Sequence, residues 1–165
     1  MRPPGVYGPR DGGFLSLFKA VKAHVLPRFN SRQGISLVYV KDLAEAVVRC
    51  LDHPAVAGKT FFVAAREVVT GQGVAREIAA QMKRWTLGLP LPAAALWPAC
   101  LACELGARLT GKASLLSLAK YPELKAPGWV CDPTRLEREL GYRCATTLKE
   151  GVAAALSWYR KEGWL

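Results

Sequence analysis

The side chains that most often carry catalysis are sparse in this 165-residue sequence. It contains two histidines and thirteen carboxylates, and they form no cluster of His, Cys and carboxylate residues. His24 and His53 fall near the ends of predicted helices, where imidazoles commonly serve capping or dipole roles. A general acid–base or nucleophilic site needs several such groups converging on one point. The sequence therefore predicts no catalytic residue and no metal site.

Two short motifs suggest nucleotide or redox chemistry, and each has a simpler interpretation. Tyr121 and Lys125 have the spacing of a Tyr-x-x-x-Lys catalytic pair, but Pro122 pushes the residue before it out of the helical region. The Gly71–Gly73 stretch lacks the third glycine of a dinucleotide fingerprint. We interpret it as the start of a helix.

The five cysteines are an odd number at irregular spacing, and no secretory signal precedes them. Both features are typical of a reducing compartment, so we expect free thiols and a cytoplasmic protein. Cys100 and Cys103 form a Cys-x-x-Cys pair, but they lie in an apolar stretch without a second pair. We interpret them as core residues of one helix face.

The sequence carries 23 Lys and Arg residues against 13 Asp and Glu, a formal charge of +10. Such a charge can attract nucleic acid or anionic membranes. The cations are scattered and never exceed two in a row, as at Lys83-Arg84. No stripe that could follow a phosphate backbone is visible, so we predict no nucleic-acid partner.

The uncharged span from Thr86 to Cys103 is at the lower limit of membrane-spanning length. Three prolines interrupt it, so a buried helix is favoured over a membrane span. Shallow contact with a membrane surface stays as the alternative.

The first half of the chain alternates β-branched runs with helical patterns. Apolar residues recur at helical spacing from Phe14 to Val25, and Pro27 ends that helix. Ile35–Val40 predicts a strand, and Asp42 is predicted to cap the following helix together with Glu45. The residues predicted to face the core from that helix are Leu43, Ala46, Val47, Cys50 and Leu51.

Two more elements continue this alternation. Thr60–Ala64 predicts a strand buried on both faces, and a helix begins after Thr70 with Val74, Ile78, Ala79 and Met82 inward. Strands that alternate with helices are typical of α/β folds. Residues 1–86 therefore predict an α/β unit with parallel strand pairing.

The pattern after Gly88 predicts helices throughout, so residues 87–165 are expected to form a mainly helical cap. Capping signals mark the last two helices, with Asp132 and Gly141 around one and a Thr147–Glu150 capping box on the other. Trp164-Leu165 is expected to fold back. The predicted helices cover Ala93–Leu109, Ser114–Ala119, Asp132–Leu140 and Thr147–Arg160.

Three segments together resemble one known family. Arg2–Asp11 resembles the RPxxVYGPxD stretch of the extended short-chain dehydrogenases/reductases, and Leu37–Ala46 resembles their VHVxDLAxA unit. Leu140–Arg160 resembles their closing LGxxPxxxLxEGL…WYR segment. The resemblance spans nearly the whole chain in the family's order.

This resemblance implies a C-terminal, substrate-side part of an NAD(P)-dependent oxidoreductase or epimerase. Its fold would be α/β, a partial parallel Rossmann-type sheet with a C-terminal helical substrate-binding cap. The family's glycine fingerprint and catalytic Tyr-x-x-x-Lys belong to the N-terminal half, so we expect no cofactor binding by this chain alone. Partners would be a small-molecule substrate and either a second copy or a complementing N-terminal half.

The resemblance also implies site residues. Those expected to border the nicotinamide of NAD or NADP are Pro3, Val6, Tyr7 and Pro9. Those expected to contact substrate are Phe14, Phe18, Trp97, Lys120 and Trp129.

Departures from the family pattern bear on the substrate. Nucleotide-sugar epimerases carry a phosphate-binding Arg where this sequence has Ile35, although Arg32 lies close enough to substitute. Tyr39 also replaces the usual His. An apolar cap favours a lipophilic alcohol or ketone, and a non-catalytic binding module and a peripheral membrane protein remain as alternatives. The cap residues are Leu91, Leu96, Trp97, Leu101 and Leu105.

Overall fold

A computed structural model describes residues 1–28, 33–90, 93–110, 118–122 and 126–165. Strands and helices alternate along the chain, with 3-10 turns at Pro54–Val56 and Leu118–Lys120. The strands are β1 (Gly5–Tyr7), β2 (Val25–Arg28), β3 (Gly34–Tyr39), β4 (Val68–Thr70), β5 (Leu87–Pro90) and β6 (Gly128–Trp129). The helices are α1 (Gly12–Lys22), α2 (Val40–Leu51), α3 (Gly71–Met82), α4 (Ala93–Thr110), α5 (Thr134–Leu140) and α6 (Leu148–Lys161).

Strand β3 organises the main sheet. It pairs in parallel with β1, where Tyr7 lies opposite Tyr39, and in parallel with β6. Its pairing with β4 is antiparallel, with Gly34 opposite Thr70. The predicted α/β fold with a partial parallel sheet is confirmed, but the expectation of parallel pairing is wrong for β4. The chain bends at Arg66, just before β4, and so β4 runs back along β3.

The predicted Thr60–Ala64 strand forms one isolated parallel bridge, Phe62 to Arg2, and a second parallel bridge follows at Ala65, to Cys144. Phe61 and Val63 are buried, whereas Phe62 is 43% exposed. Successive side chains of an extended segment point to opposite faces. The prediction of burial on both faces is therefore wrong at Phe62.

A second, two-stranded sheet consists of β2 paired in parallel with β5. The first helix ends at Lys22, before Val25, because His24 adopts a left-handed backbone conformation (φ 60°) and redirects the chain. Pro27 therefore lies in a strand, which it tolerates because β2 is an edge strand among the described residues. The prediction that everything after Gly88 is helical is wrong at β5 and β6, since both strands depend on pairing with distant segments.

Two hydrophobic clusters form the core. The first surrounds Phe18 and Tyr159 and joins α1, α3 and α6, and the second surrounds Val38 and Leu136. Each cluster combines residues from 1–86 with residues from 87–165, and the division of the chain at residue 86 stays a prediction. As predicted, Val74, Ile78 and Ala79 of α3 are buried in the first cluster.

An aromatic network attaches α6 to the start of the chain. The Tyr159 hydroxyl lies 3.0 Å from the Gly8 carbonyl oxygen and 2.7 Å from that of Asp11, and it donates to them. Burial raises the pKa of Tyr159 to about 12, so the hydroxyl keeps its proton at neutral pH. Trp164 packs on Trp158 with ring centroids 4.9 Å apart, which confirms the predicted fold-back of the C-terminus.

Capping chemistry sets several helix ends as predicted. The Thr70 hydroxyl accepts a hydrogen bond from the Gly73 amide (3.0 Å) at the start of α3. Thr147 and Glu150 form a complete capping box on α6, and Gly141 ends α5 in the left-handed conformation. The residues of each capping signal lie close together in the sequence, so the sequence alone could predict them.

The predicted cap at Asp42 is wrong. Helix α2 begins at Val40, and the buried Asp42 carboxylate instead accepts hydrogen bonds from the amide and hydroxyl of Thr146 (3.0 and 2.7 Å). The inward face of α2 is also narrower than predicted, since Val47 and Leu51 are exposed. Asp42 makes a tertiary contact across more than a hundred residues, which no local pattern could reveal.

Helix α4 confirms the predicted helix at Ala93–Leu109 and contains Pro98. Cys100 is buried on it, as predicted, and all five cysteines are free thiols. Within the described ranges no helix is both long enough and apolar enough to cross a membrane. Most of the predicted Ser114–Ala119 helix lies outside the described residues.

Candidate functional site

A cleft of about 570 Å³ lies beside β3, between the segment before β1 and the strand β6. Among the described residues, its lining contains glycine, proline, aliphatic, aromatic and thiol groups, and no charged side chain. An apolar concavity of this size suits a small molecule with a hydrophobic body. The lining residues are Pro3, Pro4, Gly5, Ile35, Phe62, Gly128, Trp129, Val130 and Cys131.

Strand β6 forms one wall of the cleft, and β3 holds it in place. Ile35 pairs with Trp129, and the Cys131 amide donates a hydrogen bond to the buried Ser36 hydroxyl (3.1 Å). The two strands are close enough that a Cβ at Gly128 would lie 3.1 Å from the Gly34 carbonyl oxygen. Trp129, 52% exposed, therefore stands on a rigid strand at the edge of the cleft.

The opposite wall comes from the segment before β1. The Arg2 amide donates to the Phe61 carbonyl (2.8 Å), and the Val63 amide donates to the Arg2 carbonyl (3.3 Å). This pairing places Pro3 and Phe62 beside each other along the cleft. Proline has no amide hydrogen, so Pro3 offers this wall no backbone hydrogen-bond donor and its side chain is apolar.

One charged pair lies next to the cleft. A shallower depression shares Val130 and Cys131 with the cleft and includes Arg66. The Arg66 guanidinium donates two hydrogen bonds to the Glu137 carboxylate, which raises the pKa of Arg66 and lowers that of Glu137. Burial raises the pKa of the Cys131 thiol, so it is neutral and a poor nucleophile at pH 7.

The residues expected to border the nicotinamide lie in different surroundings. Pro3 lines the cleft, Val6 is exposed, and Pro9 is half-buried. Tyr7 is buried in the first core cluster, and its hydroxyl donates to the Thr147 carbonyl (3.4 Å). Burial raises the pKa of Tyr7, so it remains a neutral core residue.

The residues expected to contact substrate are also divided. Trp129 lines the cleft, whereas Phe14 and Phe18 are buried in the first core cluster. Trp97 is exposed on α4, and the side chain of Lys120 lies outside the described part of the chain. The structure thus brings Pro3 and Trp129 together in one cleft.

Other lining residues were not identified as site residues. Ile35 was noted only as a departure from a family pattern, and Phe62 was assigned to a buried strand. Val130 follows a strand of only two residues that no periodicity could predict. Phe61-Phe62 carried a signal, because adjacent side chains of an extended segment face opposite ways.

The two short motifs of the sequence are not described as part of the cleft. Helix α3 begins at Gly71 directly after β4, but Arg76 stands where the third glycine of a dinucleotide fingerprint would be, and the Thr70 hydroxyl already accepts a hydrogen bond from the Gly73 amide. Lys125 lies outside the described residues. Tyr121 and Gly71–Gly73 are described and do not line the cleft.

No protein-family model matches the chain. A ceramide reductase of Caulobacter vibrioides is 27% identical over 166 residues, covering all of this chain and 52% of that protein. A UDP-glucose 4-epimerase of Vibrio cholerae is 30% identical over 155 residues, covering 92% of this chain and 43% of that protein. The chain spans about half the length of the curated relatives it matches.

Solved structures show the same fold. The UDP-glucuronic acid 4-epimerase of Bacillus cereus, solved with UDP-glucuronic acid and NAD, has a TM-score of 0.70 at 16% identity, covering 98% of this chain and 44% of that chain. The UDP-glucose 4-epimerase of Thermotoga maritima has a TM-score of 0.70 at 14% identity, covering 98% and 45%. The chain is therefore a relative of the epimerases and reductases of the extended short-chain dehydrogenase/reductase family, and it corresponds to one part of them.

Proposed function

We propose that this chain is the substrate-side half of an NAD(P)-dependent oxidoreductase, that it binds a lipophilic alcohol or ketone in the cleft, and that it is inactive alone. The observation that supports this proposal most directly is that the described residues lining the cleft include no charged side chain. Trp129, Phe62 and Ile35 would contact the substrate, and their apolar surface would exclude water from it.

The cleft is a poor match for a nucleotide sugar. A diphosphate needs cationic or bidentate donors, and Ile35 occupies the position where the resemblance predicts an arginine. Arg66 is already paired with Glu137, and Arg32, which could substitute for the missing arginine, lies outside the described residues. A lipophilic substrate also agrees with the relative named ceramide reductase.

The cofactor would supply the hydride chemistry, and this chain fits only one edge of it. Pro3, Val6 and Pro9 are proposed to border the nicotinamide, while the Tyr7 side chain of β1 packs in the first core cluster. The described helix starts with glycine pairs, α1 and α3, already have their Gly13 and Gly73 amides bonded to the Asp11 carboxylate and the Thr70 hydroxyl, so neither is proposed to hold the pyrophosphate. We therefore propose that a complementing N-terminal half binds the cofactor, in the cytoplasm, where the five thiols stay reduced.

Isothermal titration of the purified chain with NAD, NADH, NADP and NADPH tests the cofactor proposal. We expect no heat of binding from the chain alone and clear binding when an N-terminal half of a relative is supplied. Tight binding by the chain alone would contradict inactivity without a partner. If no heat of binding is measured even in the presence of that half, the alternative of a non-catalytic binding module would be favoured.

Titration with a long-chain ketone and with UDP tests the substrate proposal. We expect the ketone to bind and UDP not to bind. Ile35→Arg should lower the affinity for the ketone by about tenfold or more, since it places a charge in an apolar cleft. Leu51→Arg, which changes an exposed leucine on α2, is the matched control and should leave ketone affinity unchanged. Preference for UDP over the ketone would overturn the proposal.

A further inference from the structure

The β2–β5 ribbon (Val25–Arg28 paired with Leu87–Pro90) has two contrasting faces. Leu26 is buried against the core, while Val25 and its partner Leu87 are exposed, Leu87 by 59%. Leu89 lies two residues further along and is exposed as well. Because side chains two apart in a strand share a face, the ribbon presents a continuous aliphatic face outward.

Trp85 extends this face and is held in an exposed position. It precedes β5 and is 69% exposed. Its carbonyl accepts a hydrogen bond from His24 Nδ1 (2.8 Å), and the two rings stack with centroids 4.3 Å apart. The Leu87 amide donates to the His24 carbonyl (2.9 Å). The indole is thus presented to the surroundings by the fold.

The ribbon also lies within stretches of sequence that contain cations but no carboxylates. Residues 12–41 and 78–103 contain β2 and β5, and neither stretch contains an Asp or Glu. The two strands are parallel neighbours, so the ends of α1 and α3 that lead into them lie at the same end of the ribbon. The exposed cations at that end are Lys19, Lys22, Lys83 and Arg84, and within the described ranges none of them forms an ion pair.

We propose that this face docks on an anionic phospholipid bilayer. Tryptophan and aliphatic side chains gain free energy at the boundary of headgroups and acyl chains, and flanking Lys and Arg attract anionic headgroups. The ribbon, rather than α4, would be the contact, because it combines an ordered indole, an aliphatic face and carboxylate-free flanks. Docking extends the proposed function, since a lipophilic substrate would be drawn from the bilayer, but it is tested separately.

Co-sedimentation of the 165-residue chain with vesicles tests the proposal. Vesicles of phosphatidylglycerol and phosphatidylcholine in equal parts are compared with phosphatidylcholine alone, at low and high salt. We expect binding only to the anionic vesicles, weakened by salt. Lys83→Glu with Arg84→Glu should lower the binding constant by more than about tenfold. Trp85→Ser with Leu87→Ser should lower it by about tenfold or more.

Matched controls separate this face from net charge and general hydrophobicity. Arg160→Glu with Lys161→Glu makes the same change in net charge at the end of α6, and Leu51→Ser removes a leucine that is 80% exposed on α2. Both controls should bind vesicles like the parent chain. Equal losses in control and ribbon variants, or no binding by the parent chain, would overturn the proposal.

Two readouts distinguish the remaining outcomes. Analytical ultracentrifugation shows whether the ribbon pairs with a second copy. If the parent chain forms a dimer that Leu87→Ser abolishes, and the parent chain does not bind vesicles, membrane docking would be overturned. Titration of the long-chain ketone should be unaffected by Lys83→Glu with Arg84→Glu. Loss of vesicle binding with intact ketone binding would therefore support docking independently of the cleft, and failure of the ketone to bind would affect only the proposed function.

Discussion

Two regions of this chain use the same residue types in opposite ways. Around Tyr159, Phe18 and Trp158 each pack on the Tyr159 ring, and Phe14 packs on Phe18. Phe18 is fully buried, and its ring centroid lies 5.3 Å from that of Tyr159. At the cleft, Phe62 and Trp129 are also large aromatic side chains, but about half of each is open to the surroundings.

The difference indicates that the buried rings contribute to folding stability and that the exposed rings are available for binding. A buried ring removes its apolar surface from water in the folded chain and so contributes to folding. An exposed ring leaves its apolar surface in water, so the same gain in free energy comes only when another molecule covers the ring. We therefore expect changes near Tyr159 to alter the free energy of unfolding, and changes at the cleft to alter ligand binding.

The largest expected difference in stability is between two phenylalanine substitutions, one in each region. Phe18→Ala should lower the free energy of unfolding by about 3–5 kcal/mol, because it leaves a cavity in the first core cluster. Phe62→Ala should cost less than about 1 kcal/mol and weaken ketone binding instead. Urea denaturation followed by circular dichroism measures both values. Similar losses from the two substitutions would break the comparison.

A second prediction concerns Gly151, on the buried side of α6. A Cβ at this position would collide with the Tyr7 ring, so Gly151→Ala should destabilise the fold by about 1–3 kcal/mol. Gly106→Ala, in α4, meets no atom within 4 Å and should be neutral or stabilising by up to about 1 kcal/mol. Thermal unfolding compares the pair, and a neutral Gly151→Ala would show that the Tyr7 contact is loose.

A third prediction tests how firmly the cleft wall is held. Ser36→Ala removes the buried hydroxyl that accepts from the partly buried Cys131 amide and should lower the free energy of unfolding by about 1–2 kcal/mol. It should also speed hydrogen exchange at the amides of β6. Ser16→Ala removes an exposed hydroxyl that bonds to Gly12 within α1 and should stay within about 0.5 kcal/mol of the parent chain. Unchanged exchange in β6 would mean that strand pairing alone positions Trp129.

The smallest expected effect is a dependence of stability on pH. Hydrogen bonds from Arg135 and Lys59 lower the pKa of Glu139 from 4.5 to about 2. A pKa that is lower in the folded chain adds stability above pH 4.5, and this contribution is lost as the pH falls from 4.5 toward 2. Glu139→Gln should therefore reduce the loss of melting temperature between pH 6 and about pH 3.

Glu162→Gln is the control for this pH dependence. It changes a carboxylate just after α6 that takes part in no ion pair among the described residues. It should leave the pH profile of the melting temperature unchanged. An equal effect from the two substitutions would assign the profile to net charge rather than to the contacts of Glu139.

The sequence by itself determined the elements whose signals are local. Helical spacing and caps defined α3 and α6, and three motif segments identified the family, because the residues that carry each signal lie within a few turns of chain. The Thr147–Glu150 box and the left-handed Gly141 are of this kind.

Only the tertiary structure decided which of these residues meet. Strands β5 and β6 exist through pairing with β2 and β3, and Asp42 binds Thr146 rather than capping α2. Phe14 and Phe18 were expected at the substrate and are buried in the core, while Phe62 is in the cleft. Pairing and burial are set by contacts between residues far apart along the chain, and a single sequence carries no direct record of such contacts.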